Sequence, residues 1–232
     1  MKIHRLHRWT VDLERARAIQ LDLASRVRVS GWSGEPRRVA GADVSYDDAR
    51  GLAFAAVVVL AWPGLEPLEE RTAIGPVRFP YVPGYLSFRE IPILLRAFAR
   101  VTMVPDVVLC DGQGIAHPRG LGLASHLGLF LDCPTIGCAK SRFIGAHADP
   151  GVARGSRTSL IHLGREVGAV LRTREGAAPI YVSIGHALHL ERACAIALAA
   201  ACASRIPEPT RLADRRVAEL RRRHVERIGK RE

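Results

Sequence analysis

The residues of this chain whose types and spacing could do chemistry are four carboxylates and one glycine-rich loop. Asp111 follows a short apolar run, residues 107–110, of the kind that fits a strand buried on both faces. Four glycines (Gly112, Gly114, Gly120, Gly122) then interleave with His117, Pro118 and Arg119 before a helix-like ASHLGLFL begins. A carboxylate delivered by a buried strand into such a loop can be set at a reaction centre, because glycine lets backbone amides approach a ligand that a Cβ would hold off. An Asp-Gly pair can equally make an ordinary turn. This loop, however, is long for a turn and carries a His, an Arg and a Gln without apolar cover. GQGIAH lacks the third glycine of a dinucleotide-binding fingerprint.

Three further carboxylates lie near strand ends or helix starts. Asp43 sits within VAGADVSY, a strand pattern in which an unpaired buried charge is too costly. It is therefore either an outward-facing residue or part of a site. Glu90 lies three residues after Ser87, the spacing of a capping box. Pro92 argues against that box, since a helix capped at Ser87 would want the amide of residue 92. A helix starting nearer Arg89 leaves Glu90 available for chemistry. Asp214 falls in the first turns of a helix begun by IPEPTRLAD. Clustered without a counter-ion, the four would push one another's pKa upward. One or two divalent cations would stabilise them in ionised form. Oxygen ligands with no convincing His or Cys set suit Mg²⁺ or Mn²⁺. Such a cation activates water and stabilises charge growing on a phosphodiester. Lys140, at the end of a short strand over 135–139, and a basic surface would hold the phosphates.

Several elements must position these groups. Thr10 can cap a first helix, with Asp12 and Glu14 in its first turn and Leu13, Ala16, Ile19, Leu23 and Val27 along its apolar face. Strands are expected at 39–46, 52–60 and 68–74, the first two closed by a hairpin at Asp47, Asp48 and Gly51, with Pro67 marking an edge or bulge. In FPYVPG two prolines stiffen a turn and leave Tyr81 displayed between them. Exposed aromatics of this kind stack on bases or wedge between them, although a Tyr can also pack beneath its own turn. Residues 146–157 read as a surface loop, 167–172 and 180–183 as strands, and 190–203 as an apolar helix. The end, from about 215 to 232, reads as a basic helix, solvated or facing nucleic acid.

At 232 residues the chain is long enough for one well-buried core, and a single domain over 1–232 is expected. Lys and Arg exceed Asp and Glu by 34 to 23, a net charge of +11 that favours a polyanionic partner, nucleic acid first. The five cysteines show no C-x-x-C pair and read as buried thiols of a reducing cytoplasm. MKIHRLHRWT has no hydrophobic signal core, and the longest apolar run, 52–62, is too short to span a bilayer.

VAGADVSY, FPYVPGYLSFRE, VLCDGQGIAHPRGLGLASHLGLFLDCPTIGCAKSR, IYVSIGH and IPEPTRLAD, in this order, closely resemble the endonuclease V family over roughly residues 8–214. The resemblance implies an α/β, ribonuclease-H-like fold, a mixed sheet with antiparallel opening strands flanked by helices. It implies metal-dependent cleavage of DNA containing deoxyinosine, one nucleotide beyond the damaged base on its 3′ side, leaving 3′-hydroxyl and 5′-phosphate ends. Carried over by position, Asp43, Glu90 and Asp111 are the metal carboxylates, with Mg²⁺ as cofactor and Mn²⁺ as a substitute. Tyr81, with Pro80, Val82 and Pro83, resembles the strand-separating wedge. Gly84, Leu86, Gly112, Gly114 and Gly122 would shape the pocket for the flipped base. His117 and Lys140 would line the cleaved backbone. Asp214 stands where some relatives have His, so its part in a second metal position stays open. A monomer acting in the cytoplasm, with no membrane partner, is expected. Inosine-containing RNA is a second candidate substrate. A non-cleaving module for deaminated or branched nucleic acid would be marked by loss of a carboxylate, and none of the four is missing. A phosphate-binding enzyme acting on a small nucleotide would fit the glycine loop without needing the PYVP turn or the charge.

Overall fold

The computed structural model describes residues 1–229. Eight strands form one mixed sheet: β1 (Arg38–Asp47), β2 (Leu52–Ala61), β3 (Pro67–Pro76), β4 (Val107–Cys110), β5 (Thr135–Ala139), β6 (Arg157–His162), β7 (Arg165–Leu171) and β8 (Ile180–His186). Their order is β3-β2-β1-β4-β5-β8-β7-β6. The central strands β1, β4 and β5 run parallel, and the remaining neighbours pair antiparallel. The helices are α1 (Leu13–Ala24), α2 (Leu86–Phe98), α3 (Leu123–Leu131), α4 (Leu190–Ala200) and α5 (Glu208–Gly229). This is the expected ribonuclease-H-like architecture, opened by an antiparallel β1–β2–β3 meander.

Strand alternation sorts the core onto two faces. Val108 and Cys110 of β4 join Ala40, Ala42, Val57 and Val59 against α2 and α3. Val107 and Leu109 join Val58 and Leu60 against α4 and the start of α5. All four residues of β4 are buried, which is why it reads as an unbroken apolar run. Each fully buried Leu or Phe contributes about 1.5–3 kcal/mol over exposure, so the two faces fix the sheet between its helices. As expected from Pro67, β3 is an edge strand, and its register shifts opposite Val59 and Leu60.

Several boundaries differ from the sequence reading. Asp12, not Thr10, caps α1, its Oδ1 accepting from the Arg15 amide at 2.7 Å. Leu13 is 46% exposed and α1 stops at Ala24, so the buried apolar stripe runs through Ala16, Ile19 and Leu23, with Gln20 buried beside it. Strand β6 occupies residues expected to begin after a loop. It is an edge strand with only Leu160 buried, so its backbone ladder leaves no alternation to read. Strand β8 runs on to His186, and α4 ends at Ala200. Helix α5 starts at Glu208, within IPEPTRLAD as expected, and runs unbroken into the basic stretch from 215, but it is not solvated all round. Ala213 and Val217 are buried, and the His224 ring lies 5.3 Å from Phe54. The expected end of that helix, residues 230–232, lies outside the described residues. Four cysteines are buried, but Cys202 is exposed, contrary to the reading of all five as core thiols. Among the described residues no helix is long and apolar enough to cross a membrane.

Candidate active site

Parallel pairing of β1 with β4 sets Ala42 beside Cys110, and the residue after each is a carboxylate, Asp43 and Asp111. By alternation both belong to the face of Val107 and Leu109, the face that α5 covers. Helix α5 reaches that level because residue 41 is glycine. A Cβ there would stand 1.9 Å from the Pro209 carbonyl oxygen, so only glycine lets the start of α5 lie directly on β1. Asp214, two turns into the helix, is thereby brought near enough for its charge to act on Asp43 while staying solvent-exposed.

Glu90 arrives from the other face. Helix α2 begins at Leu86 with Tyr85 as its N-cap, and Pro92 lies inside it. The expected later start is therefore wrong: the proline forfeits a single intrahelical bond, which the buried face of α2 outweighs. Nor is there a capping box, since the Ser87 hydroxyl is paired with His126 Nδ1 at 3.0 Å. Glu90 is 9% exposed, and its Oε1 accepts from the Tyr46 hydroxyl at 3.2 Å. Tyr46 had no sequence signal beyond its place at the end of a strand.

Burial, then the charges of Asp111 and Asp214, pushes the Asp43 carboxyl up to about 7. Burial and the nearby Asp43 charge push Glu90 up to about 8. Lys140 Nζ stands 2.5 Å from Asp111 Oδ2. Burial works to lower the Lys140 pKa, but the hydrogen bond and charge of Asp111, with those of Asp214 and Asp43, outweigh it and raise it. Asp43 and Glu90, desolvated and raised, together with Asp111 offer oxygen only, a donor set that fits a hard divalent cation. In this arrangement no three Asp, Glu, His or Cys side chains among the described residues already surround a common point.

Beside the carboxylates lies a cavity of about 380 Å³, within the range of small-ligand sites. Its wall includes Tyr81, Val82, Pro83, Gly84 and Leu86 from one loop, Gly112, His117 and Gly122 from another, and both Asp111 and Lys140. Pro80 and Gly114 are outside that wall. Tyr81 is 70% exposed, so it does not pack beneath its own turn.

The glycine loop differs from expectation in one respect. Its amides are already spent within the protein: Gly112 donates to Cys110 O (3.0 Å), Gly114 to Ser183 Oγ (2.8 Å) and Gly122 to Gly114 O (2.9 Å). A Cβ on Gly114 would sit 2.0 Å from the Ile184 carbonyl, and one on Gly122 2.3 Å from that of Gln113. These two glycines serve close packing of backbone on backbone rather than an open amide cradle. His117, expected without apolar cover, is 6% exposed. Burial, then the Arg119 charge, holds it down at about 4, so it is neutral at physiological pH.

Sequence reading missed Gln113, Ser141, Arg142 and Phe143 in the cavity wall. Phe143, 42% exposed and 5.6 Å from the His117 ring, follows Lys140 closely enough for a loop aromatic to have been a signal. A larger open groove of about 920 Å³ runs between the β1–β2 turn and α5. Arginines there, among them Arg215 and Arg221, face acids such as Asp48 and Glu219, so α5 is not a uniformly cationic surface.

The sequence profile of endonuclease V matches residues 21–215. An endonuclease V of Nostoc sp. is 47% identical over 216 residues, which are 93% of this chain and 98% of the relative. The crystal structure of endonuclease V from Streptomyces avermitilis superposes with a TM-score of 0.88 at 44% identity, covering 99% of this chain and 100% of that one. The endonuclease V of Ciona intestinalis, crystallised with a 24mer DNA containing an inosine followed by a ribo-adenosine, superposes at 0.80 with 28% identity, covering 93% and 98%. Matched by that profile over most of its length and covering nearly the whole of these relatives, the chain belongs to the endonuclease V family of nucleases.

Proposed function

We propose that the protein is a divalent-metal-dependent endonuclease of DNA repair that hydrolyses the phosphodiester one nucleotide 3′ of a deoxyinosine, leaving 3′-hydroxyl and 5′-phosphate ends. The observation that carries this reading is the juxtaposition of Asp43, Glu90 and Asp111 with a cavity whose wall bears an exposed Tyr81. The Ciona relative held on inosine-containing DNA supports the same substrate. Asp43, Glu90 and Asp111 would hold Mg²⁺, or Mn²⁺ in its place, with Asp214 contributing from the solvent side. Bound there, the cation supplies an activated water and neutralises charge developing on the phosphate.

The chain's own residues do the rest. Tyr81, braced by Pro80, Val82 and Pro83, enters the duplex beside the lesion, and the unstacked hypoxanthine occupies the cavity walled by Gly84, Leu86, Gly112 and Gly122, with Gly114 packed behind that wall. Neutral His117 lines that cavity without adding charge. Lys140, whose ammonium stands beside Asp111 at the edge of the cavity, would hold the phosphate. The whole chain acts as one monomeric nuclease domain, and its four buried unpaired thiols support a reducing cytoplasmic setting.

The test is a 5′-labelled duplex with one deoxyinosine, its adenosine counterpart, and an inosine-containing RNA of the same sequence, each incubated with Mg²⁺ or chelator. Cleavage of the inosine DNA alone, one nucleotide 3′ of the lesion and only with metal, is expected. Binding without cleavage in Mg²⁺ and Mn²⁺ would replace the nuclease reading by a recognition module.

A further inference from the structure

The loop over 79–84 is tied down at both ends. At its start Phe79 is buried, and Arg89 Nη1 donates to its carbonyl at 3.1 Å. At its end three donors converge on one oxygen, the Gly84 carbonyl: Arg119 Nη2 at 2.7 Å, Gln20 Nε2 at 2.9 Å and His117 Nε2 at 3.0 Å. A carbonyl has two lone pairs, so this exceeds what satisfying a buried acceptor requires. The donors also order one another. Arg119 Nε donates to Gln20 Oε1 at 2.5 Å. The Arg119 amide donates to His117 Nδ1 at 3.2 Å, which leaves the imidazole proton on Nε2, facing Gly84. The Arg119 guanidinium lies 4.4 Å over the Tyr85 ring. Gln20, on α1, is wholly buried and far in sequence from every carboxylate of the site. Neither Gln20 nor Arg119 is in the cavity wall.

A ring that must part stacked bases does so only if the backbone behind it does not yield; a loop already held in its working shape spends no binding energy on ordering. Resting on the reading of Tyr81 as a wedge, we propose that Gln20 and Arg119 are positioning residues that clamp the Gly84 carbonyl and hold Tyr81 rigid against the glycine loop. The clamp matters where a duplex has to be opened and not where the lesion is already unpaired.

The experiment compares the parent, Arg119→Met, Arg119→Lys, Gln20→Glu and Tyr81→Ala on one inosine strand, presented as duplex and single-stranded, in Mg²⁺. Arg119→Met keeps the stem and removes the donors. Gln20→Glu keeps the acceptor for Arg119 and removes the amide that holds Gly84. Both should lower kcat/KM on the duplex on the order of tenfold to a hundredfold, the scale of a small misplacement of a working group, while single-strand cleavage changes little. Tyr81→Ala should lower the duplex rate as well, and Arg119→Lys, which keeps a single ammonium, should recover part of the loss. Circular dichroism and melting curves identify folded variants, and Arg119→Lys decides the matter should Arg119→Met not fold. Equal losses on both substrates, or an undiminished duplex rate in a folded variant, overturn the clamp. Should Tyr81→Ala spare duplex cleavage, the wedge reading falls instead. A parent that cuts neither substrate overturns the nuclease reading beneath both.

Discussion

Asp43→Asn separates the demands of the site from the demands of the fold. The folded Asp43 carboxyl is pushed from 3.8 up to about 7 by burial and by the charges of Asp111 and Asp214. The folded protein therefore holds a proton that the unfolded chain has released, and stability falls as pH rises through that window. At about 1.4 kcal/mol per pKa unit, Asp43 contributes ~4 kcal/mol below pH 4 that is gone above pH 7, of which ~2–3 kcal/mol disappears between pH 5 and pH 8. Asparagine keeps the shape and has no charge to desolvate. In chelator at pH 8 the variant should be more stable than the parent by ~4 kcal/mol, or on the order of 10–15 °C in Tm for a chain of this size. At pH 5 the difference should shrink to ~1–2 kcal/mol, and it should vanish below pH 4. A residual slope should persist in the variant, because Glu90 is raised in the same sense. Saturating Mg²⁺ should restore the parent at pH 8 and leave the variant unmoved, and cleavage by the variant should be lost. Urea or thermal unfolding at pH 5 and 8, with and without Mg²⁺, measures all of this. A variant no more stable than the parent in chelator at pH 8 would show that Asp43 is not held in a desolvated acidic cluster.

Gly41→Ala should destabilise the protein by about 1–3 kcal/mol through overpacking against the Pro209 carbonyl, and activity should fall further than stability because Asp214 shifts with α5; matched denaturation and cleavage assays would expose a tolerated alanine. Tyr81→Ala should cost roughly 1–3 kcal/mol of discrimination between inosine-containing and normal duplex, read by competition binding, since a stacking side chain is worth that much. Asp214→Asn should fold normally and lose activity at low Mg²⁺, regaining part of it at high Mg²⁺ or in Mn²⁺; a Mg²⁺ titration superimposable on the parent's would make Asp214 a surface residue. Binding to inosine DNA should weaken steeply with salt, through counterion release from phosphates contacted by a chain of net charge +11; a flat plot of log affinity against log salt would divorce that charge from nucleic acid.

Much of this protein is legible one segment at a time. β4 announces itself because burial on both faces demands an apolar run, and Asp111 stands out because it ends that run. The prolines around Tyr81 mark a displayed ring, since each fixes its own φ. The β1–β2 hairpin and the acidic residues follow from patterns within ten residues. Other features exist only between segments. Asp43 and Asp111 become neighbours through the pairing of Ala42 with Cys110, which the strand pattern of neither segment contains. Gly41 matters because of Pro209, 168 positions later in the chain. The sequence alone places the start of α2 too late because Pro92, weighed locally, argues against an earlier helix, whereas the buried face of α2 carries the helix through it. β6 went unseen because an edge strand is held by its backbone ladder, and that ladder leaves no mark on side-chain order. The donors that converge on Gly84 come from α1 and the glycine loop. Local propensity and periodicity act over a turn or a strand, so they determine which elements form. Which side chains share a site is decided by register and close packing between elements, and these are properties of the assembled sheet and its helices.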